Sequence, residues 1–200
     1  MMPSNSLRKL VKFARLTLLV LWAAVVVAAI IFYLTNPSRF TASNIAAFIT
    51  AFQAEIWLVY FAMSVLRGFT LLPSTPLVLA GTIVFPSQPV GVLLVSLCGI
   101  GLSSSLIYFC SEALGIREYF EDHKPQLVGR IKRRLEQPLG VIFIAAWAFF
   151  PLVPTDLVCY VSGSTGVNYW KFILAVLVGE AILCSIYVFF GGSFVNYLRH

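Results

Sequence analysis

Among the charged residues within or beside the apolar stretches of this sequence, four could carry chemistry: Asp156, Glu180, Arg67 and Glu112. A charged side chain at the centre of a bilayer costs roughly 2.5–3.5 kcal/mol on insertion scales. A carboxylate held there can exchange a proton or bind a cation, and an arginine can bind a phosphate or pair with a carboxylate. We therefore treat these four residues as candidates for a substrate or proton pathway.

Each candidate also has a purely structural interpretation. Asp156 directly follows a proline break and fits the N-cap of the next segment. Glu180 has only neutral residues three and four positions away, so its partner must come from another segment unless it is protonated. Glu112 lies near the end of its apolar run, which favours exposure to headgroups. Arg67 can extend to the interface as readily as it can bind a phosphate.

The segments that must position these residues are strongly apolar. Hydrophobic residues make up 60% of the 200 positions and charged residues 11%, with a mean hydropathy of +0.91. This composition indicates an integral membrane protein, because a soluble domain would expose too much apolar surface. The runs Leu16–Leu34 and Val90–Leu114 are long enough to cross ~30 Å of hydrocarbon, which takes roughly 20 helical residues. We expect an all-α integral membrane protein with a retained N-terminal anchor helix.

Two other apolar stretches are interrupted by prolines at matching positions. Pro73 and Pro76 interrupt the first stretch, Pro151 and Pro154 interrupt the second, and the two pairs lie 78 positions apart. Each proline removes an N–H donor and clashes with the preceding turn. Breaks in corresponding positions of two halves point to a transporter's substrate site, since irregular backbone at membrane depth must be buried or line a cavity. The predicted hairpin breaks are Pro73, Pro76, Gly81, Pro151, Pro154 and Gly163.

The net charge of +6 is concentrated in two clusters. The first precedes the anchor helix, and the second lies in the polar stretch 115–137. Clusters beside apolar helices are typical of cytoplasmic segments, so we place both on that side of the membrane. This divides the chain into an N-terminal cytoplasmic segment and anchor (1–44), a membrane domain (45–192) with a basic cytoplasmic loop (115–137), and a short tail (193–200).

Part of the basic loop has helical periodicity. Leu127, Val128, Ile131 and Leu135 fall on one face of a helix that begins after Pro125. This pattern predicts an amphipathic helix that lies on anionic lipid headgroups, and the alternative is a solvated loop.

The order and spacing of the broken segments resemble the DedA/VTT family, also called SNARE-associated Golgi proteins. The residues that carry this resemblance are Leu72-Pro73-x-x-Pro76 with Gly81, then Pro151-x-x-Pro154-x-Asp156-Leu157-x-x-Tyr160-x-x-Gly163. The resemblance covers about residues 45–192. It implies transmembrane helices around two opposed re-entrant hairpins in an inverted repeat, and movement of lipid between leaflets. Ala148 departs from the family pattern, which usually has an arginine there, and a contact of that arginine with a lipid phosphate would be lost in this chain.

These features together predict a membrane lipid translocase that scrambles or flips phospholipid or polyprenyl-phosphate lipid, with proton coupling left open. The alternatives are a non-transporting membrane scaffold that acts through the basic loop, and a small-solute or ion transporter. The expected location is the bacterial inner (plasma) membrane, with a eukaryotic endomembrane as the alternative.

We expect no enzymatic activity, cofactor or metal. The sequence has no phosphate-binding Gly-Lys motif, no Ser-His-Asp arrangement and no HExxH motif. Its cysteines lie in apolar segments without metal-ligand spacing, at Cys98, Cys110, Cys159 and Cys184. The expected partners are membrane lipids, with anionic headgroups at the basic loop and no nucleic acid. Formation of a homo-oligomer is left open.

Overall fold

A computed structural model of the chain describes residues 5–113, 116–151 and 153–197, including all side chains except those of residues 5–12, 14, 16, 112, 113, 121 and 192–197. The described residues are helical and contain no strand, which confirms the all-α prediction. In chain order the helices are α1 (Asn5–Thr35), α2 (Ala42–Thr50), α3 (Ile56–Leu66), α4 (Thr75–Val84), α5 (Pro89–Ala113), α6 (Ile116–His123), α7 (Pro125–Glu136), α8 (Pro138–Phe149), α9 (Thr155–Thr165) and α10 (Tyr169–Tyr197).

Three described helices are long and apolar enough to cross a membrane. They are Thr17–Thr35 of α1, Pro89–Ser111 of α5 and Tyr169–Gly191 of α10. Only 6% of the most apolar part of α1 is buried by protein, so its apolar side chains are available to lipid on almost every side. The helix α10 continues past Gly191, because glycine within a long apolar helix is tolerated in a membrane.

Near its basic end, α1 is joined to the polar part of the chain. Arg15 forms an exposed ion pair with Glu118 of α6, with Nη1 and Oε2 2.8 Å apart. The helix α6 in turn contacts α7. The two basic clusters therefore lie at the same end of the molecule.

The apolar stretch Ile45–Leu66 is not one continuous helix. Helix α2 and the segment Gln53–Thr70 meet at a bend of 110°. No proline or glycine marks the bend, and Gln53 adopts a left-handed backbone conformation with φ 37°. The bend lets α2 pack against α4, so tertiary contact overrides local helix propensity here.

The proline breaks fall where the sequence predicts them. Helix α4 begins at Thr75 with Pro76 in its first turn, and α9 begins at Thr155 directly after Pro154. Proline is tolerated in a first helical turn because the N–H it lacks would have no intrahelical partner. Both α4 and α9 are therefore short helices that start inside apolar sequence.

The two halves of the membrane domain make equivalent helix contacts. Helix α3 packs on α5 where a Cβ added to Gly99 would lie 2.5 Å from Ser64 Cβ, and α8 packs on α10 where one added to Gly179 would clash with the Ala145 carbonyl. The short helices pack across the halves, since α4 contacts α10 and α9 contacts α5. This crossing buries one apolar core that includes Tyr60, Ile144 and Phe172.

The basic segment contains the amphipathic helix that the sequence predicts. Val128 and Leu135 of α7 are buried, and Ile131 packs on the core. These side chains face α8 and α9. The apolar face is thus mostly covered by the protein itself and not by lipid, while Leu127 remains exposed.

Candidate functional site

Arg67 lies at the point where α3 ends. It caps α3 and begins a 3-10 turn, Arg67–Thr70, that is closed by Leu71 in a left-handed conformation. An arginine at this place interacts favourably with the partial negative charge of a helix C-terminus. The side chain turns inward, with only 8% of its surface exposed, and its Nη1 donates to the Leu72 carbonyl oxygen at 3.2 Å. The structure therefore buries this guanidinium instead of extending it to the interface.

Asp156 lies in the first turn of α9, where the positive end of the helix dipole favours a carboxylate. The N-cap residue is Pro154 and no side chain caps this helix, so Asp156 does not have the N-cap role that the sequence left open. Its side chain is 1% exposed, and its Oδ2 lies 3.6 Å from Nη1 of Arg67. Two charged residues from different halves thus meet inside the protein.

Glu180 of α10 is fully buried. Its Oε1 accepts a hydrogen bond from the Thr155 hydroxyl at 2.5 Å, and its Oε2 lies 3.8 Å from the Cys184 sulfur, a weak donor. Thr155 is the residue directly before Asp156. The partner of Glu180 therefore comes from the start of α9, the same helix terminus that carries the other carboxylate.

The three charged residues form one electrostatic cluster, which we call the charge cluster: Arg67, Asp156 and Glu180. Arg67 attracts both carboxylates, and the two carboxylates repel each other. With all three groups ionised the cluster carries one net negative charge, and with one proton on a carboxylate it is neutral. Because burying an uncompensated charge is costly, the cluster provides a place where a proton or a cation is stabilised.

Several polar atoms of the cluster have no hydrogen-bond partner among the described residues. They are Nη2 of Arg67 and both carboxyl oxygens of Asp156. The hydroxyl of Ser162, further along α9, is also buried and unpaired. Buried polar groups in folded proteins are nearly always paired with protein or water. Among the described residues, the cluster therefore has more hydrogen-bonding capacity than its protein neighbours satisfy.

Small residues allow the segments of the cluster to approach closely. A Cβ on Gly68 would lie 2.8 Å from Ser103 and 3.2 Å from Oδ1 of Asp156, so the turn after α3 needs glycine there. Ser103 and Ser104 of α5 are buried beside α9. Sequence reasoning missed Gly68 and these serines, because single small residues in an apolar helix are common and only the fold shows what they touch.

The two predicted break glycines lie inside continuous helices and not at breaks, Gly81 in α4 and Gly163 in α9. A Cβ on Gly81 would lie 2.5 Å from the Tyr60 hydroxyl, and one on Gly163 would lie 2.5 Å from the Tyr108 carbonyl oxygen. These two glycines therefore permit close helix contacts. Of the prolines, Pro73 and Pro76 flank the start of α4, while Pro151 and Pro154 lie between α8 and α9.

The position of Ala148 is fully buried and faces α10. A Cβ added to Gly179 would lie 2.9 Å from Ala148 Cβ, and Gly179 directly precedes Glu180. A longer side chain at 148 has no room without moving α10. Among the described lysines and arginines, Arg67 is the one that is buried.

The candidate residue Glu112 and the question of a metal site are separate from this cluster. The side chain of Glu112 lies outside the part of the chain that the structure describes. Among the described residues no three His, Cys, Asp or Glu side chains are placed to hold a metal ion.

The family model of the VTT domain matches residues 72–193. The match includes both proline breaks, Asp156 and Glu180, whereas Arg67 and helices α1–α3 precede it. Comparison with curated proteins finds no match. Comparison with solved structures finds none either.

Proposed function

Since the chain belongs to the VTT-domain family, the DedA/VTT family that its motifs resemble, we propose that it is a membrane lipid translocase. Its substrate is phospholipid or polyprenyl-phosphate lipid, which it scrambles or flips between leaflets. The observation that carries this proposal is the buried cluster of Arg67, Asp156 and Glu180 at the ends of broken helices. Charged residues inside a membrane domain are costly, and they commonly mark pathways for polar substrates.

The proposed architecture is a pair of opposed re-entrant hairpins in an inverted repeat. The matching proline pairs, the equivalent glycine contacts of α3 with α5 and of α8 with α10, and the crossed packing of α4 and α9 support it. Such hairpins bring free backbone groups and side chains to membrane depth only where protein or a wet cavity surrounds them. A headgroup would pass the charge cluster while its acyl chains stay in the bilayer.

We place the protein in a bacterial inner membrane with its basic clusters in the cytoplasm. The ion pair between Arg15 and Glu118 supports a common side for the two clusters. The outward-facing basic residues of α7, which include Arg133 and Arg134, contact anionic headgroups in this proposal.

Proton coupling is the finer part of the proposal. The cluster has one arginine and two carboxylates, so it changes from neutral to negative when one proton leaves. An imposed pH gradient is expected to change the rate of lipid exchange in the native protein but not in Glu180→Gln. An equal response of both proteins would show that Glu180 takes no part in proton coupling.

The test of translocation is a leaflet-exchange assay on purified protein in liposomes, with a fluorescent phospholipid and an external quencher. Quenching of more than half of the label, dependent on protein, supports translocation. Quenching that stops at the outer leaflet contradicts phospholipid translocation, and the same assay with a labelled polyprenyl-phosphate then decides whether that lipid is the substrate.

A membrane scaffold is the second candidate function, favoured by the exposed basic face of α7. This face borders an open groove lined by Arg130, Arg133 and Arg134. Reversal of these three charges is expected to abolish a scaffold's cellular phenotype, whereas a translocase keeps its activity in liposomes. The scaffold is favoured if the native chain is inactive in liposomes and the charge-reversed variant loses the cellular phenotype.

A further inference from the structure

A cavity of about 700 Å³ lies between α1, α2, α3 and the start of α4. Its size is within the range of small-molecule sites, roughly 300–1,000 Å³. Most of its wall is apolar and aromatic, and its two charged residues are Arg39 and Arg67, with no carboxylate on the wall. The cavity therefore combines a surface for hydrocarbon with positive charge.

Arg67 brings a buried positive charge to this wall. Its side chain is 8% exposed, and its Nη2 has no hydrogen-bond partner among the described residues. Its Nη1 is shared between the Leu72 carbonyl oxygen at 3.2 Å and Oδ2 of Asp156 at 3.6 Å. Because Nη2 is itself buried, Arg67 would attract an anion in the cavity through its charge.

Arg39 provides the second positive charge at the edge of the cavity. It lies within the 3-10 turn Pro37–Phe40, where Pro37 fixes the first position. Its guanidinium carbon lies 5.9 Å from the centre of the Phe32 ring, within reach of a cation–π contact. It makes no ion pair with a residue that the structure describes, so its charge is available to a ligand.

We propose that this cavity binds one anionic phospholipid. Its phosphate lies between Arg39 and Arg67, and an acyl chain lies against Phe32, Phe40 and Phe48. A free phosphate would satisfy the two arginines but would leave this aromatic wall without a partner, and the wall is what selects a lipid. Because Phe32 belongs to the end of α1 opposite its basic residues, the positive-inside rule assigns the site to the non-cytoplasmic leaflet.

Most of the cavity wall precedes residue 72, where the VTT match begins. The site therefore joins a part of the chain that the family model does not cover to the charge cluster inside the matched domain. Arg67 is the residue common to both. A lipid in this cavity would thus be held next to the buried carboxylates without touching them.

The experiment is photo-crosslinking of the purified full-length chain in detergent micelles, with phosphatidylglycerol that carries a diazirine in one acyl chain. Mass spectrometry then identifies the labelled peptides. We expect labelling of the segment 37–48, and competition by unlabelled phosphatidylglycerol at least about tenfold stronger than by phosphatidylcholine. Labelling spread evenly over the lipid-exposed faces of α1 and α10 would overturn the site, and competition by inorganic phosphate would overturn the lipid.

Three variants locate the ligand, with one matched control. Arg39→Gln and Arg67→Gln each remove a charge and are expected to lower labelling of the segment about tenfold. Ile45→Trp leaves both charges and fills the cavity, so it also lowers labelling. Lys171→Gln removes a charge of the same sign from an exposed position of α10 that does not line the cavity, and it leaves labelling unchanged. If Arg67→Gln does not fold, Arg39→Gln and Ile45→Trp decide, and unchanged labelling in both contradicts the proposal.

This inference rests on the proposed lipid function, but it concerns equilibrium binding and not transport. Cavity labelling without leaflet exchange would support the binding site and contradict translocation. Leaflet exchange without cavity labelling would keep translocation and remove this site.

Discussion

Oδ2 of Asp156 lies 3.6 Å from Nη1 of Arg67, yet neither carboxyl oxygen of Asp156 has a hydrogen-bond partner among the described residues. The two side chains belong to different halves of the membrane domain and are both buried. They are held close enough for strong attraction but too far apart for a direct hydrogen bond. This geometry leaves the carboxylate available to a proton, a water molecule or a substrate group.

Removal of the buried carboxylates is expected to slow lipid exchange. Asp156→Asn and Glu180→Gln preserve side-chain size and remove the charge, so the double variant should fold and lose at least about tenfold in exchange rate, the effect of one charged contact. The rate is measured by leaflet exchange in liposomes. Asp122→Asn in exposed α6 is the matched control and should keep the native rate. A double variant as active as the control would show that the cluster takes no part in transport.

The stability of the cluster is expected to depend on charge balance. Removal of one partner of a buried ion pair leaves the other uncompensated, so Arg67→Gln should lower the free energy of unfolding by on the order of 3 kcal/mol. Addition of Asp156→Asn to that variant should restore part of the loss. Unfolding in detergent, followed as a double-mutant cycle, measures this coupling. Additive losses would indicate that Arg67 and Asp156 do not interact.

The two equivalent glycine contacts are expected to be intolerant of a methyl group. A Cβ at Gly99 would lie 2.5 Å from Ser64 Cβ, and forcing extra atoms into packed helices costs about 1–3 kcal/mol. Gly99→Ala should therefore lower the midpoint of thermal unfolding. Gly129→Ala is the control, since nothing lies within 4 Å of its added Cβ. The control should be neutral or more stable because alanine favours helix. Equal midpoints for the two variants would contradict close packing at Gly99.

The orientation of the chain is testable with engineered cysteines. The two variants are Ser38→Cys and Gln126→Cys. Ser38 lies just beyond the end of α1, and Gln126 is exposed on α7. An impermeant maleimide added to intact cells of a bacterial host should label the first and not the second, whereas broken cells should allow both. The native cysteines all lie in apolar segments and should react poorly, which the unsubstituted chain controls. Labelling of Gln126→Cys in intact cells would reverse the proposed orientation.

Much of this architecture can be predicted from the sequence, because prolines and long apolar runs restrict where helices can begin and end. The starts of α4 and α9 follow from Pro76 and Pro154, and the buried residues Asp156 and Glu180 are conspicuous as charges among apolar neighbours. The bend of 110° between α2 and the following segment could not be predicted, since it depends on packing of α2 against α4 and has no proline or glycine. Gln53, which follows α2, adopts a left-handed backbone conformation that its residue type does not predict.

Side-chain partners across the fold could not be predicted either. The sequence shows that Glu180 needs a partner but not that Thr155 supplies it, because 25 residues and a change of helix separate them. Likewise, the apolar face of α7 is visible as a pattern, whereas its burial against α8 and α9 is a property of the fold. Periodicity indicates that a face is covered, and only tertiary structure shows by what.

The crossed packing of the two short helices has a consequence for how the protein is made. Helix α4 contacts α10 as well as α2, and α9 contacts α5, so each short helix has a partner in the other half. During synthesis α4 leaves the ribosome well before α10 exists, and the part of its surface that α10 covers has no partner until then. Domains usually fold in order from the N-terminus, but here the first half completes its packing only after the last helix has inserted. Assembly of this chain is therefore a late event, and it is most vulnerable to degradation while α10 is still missing.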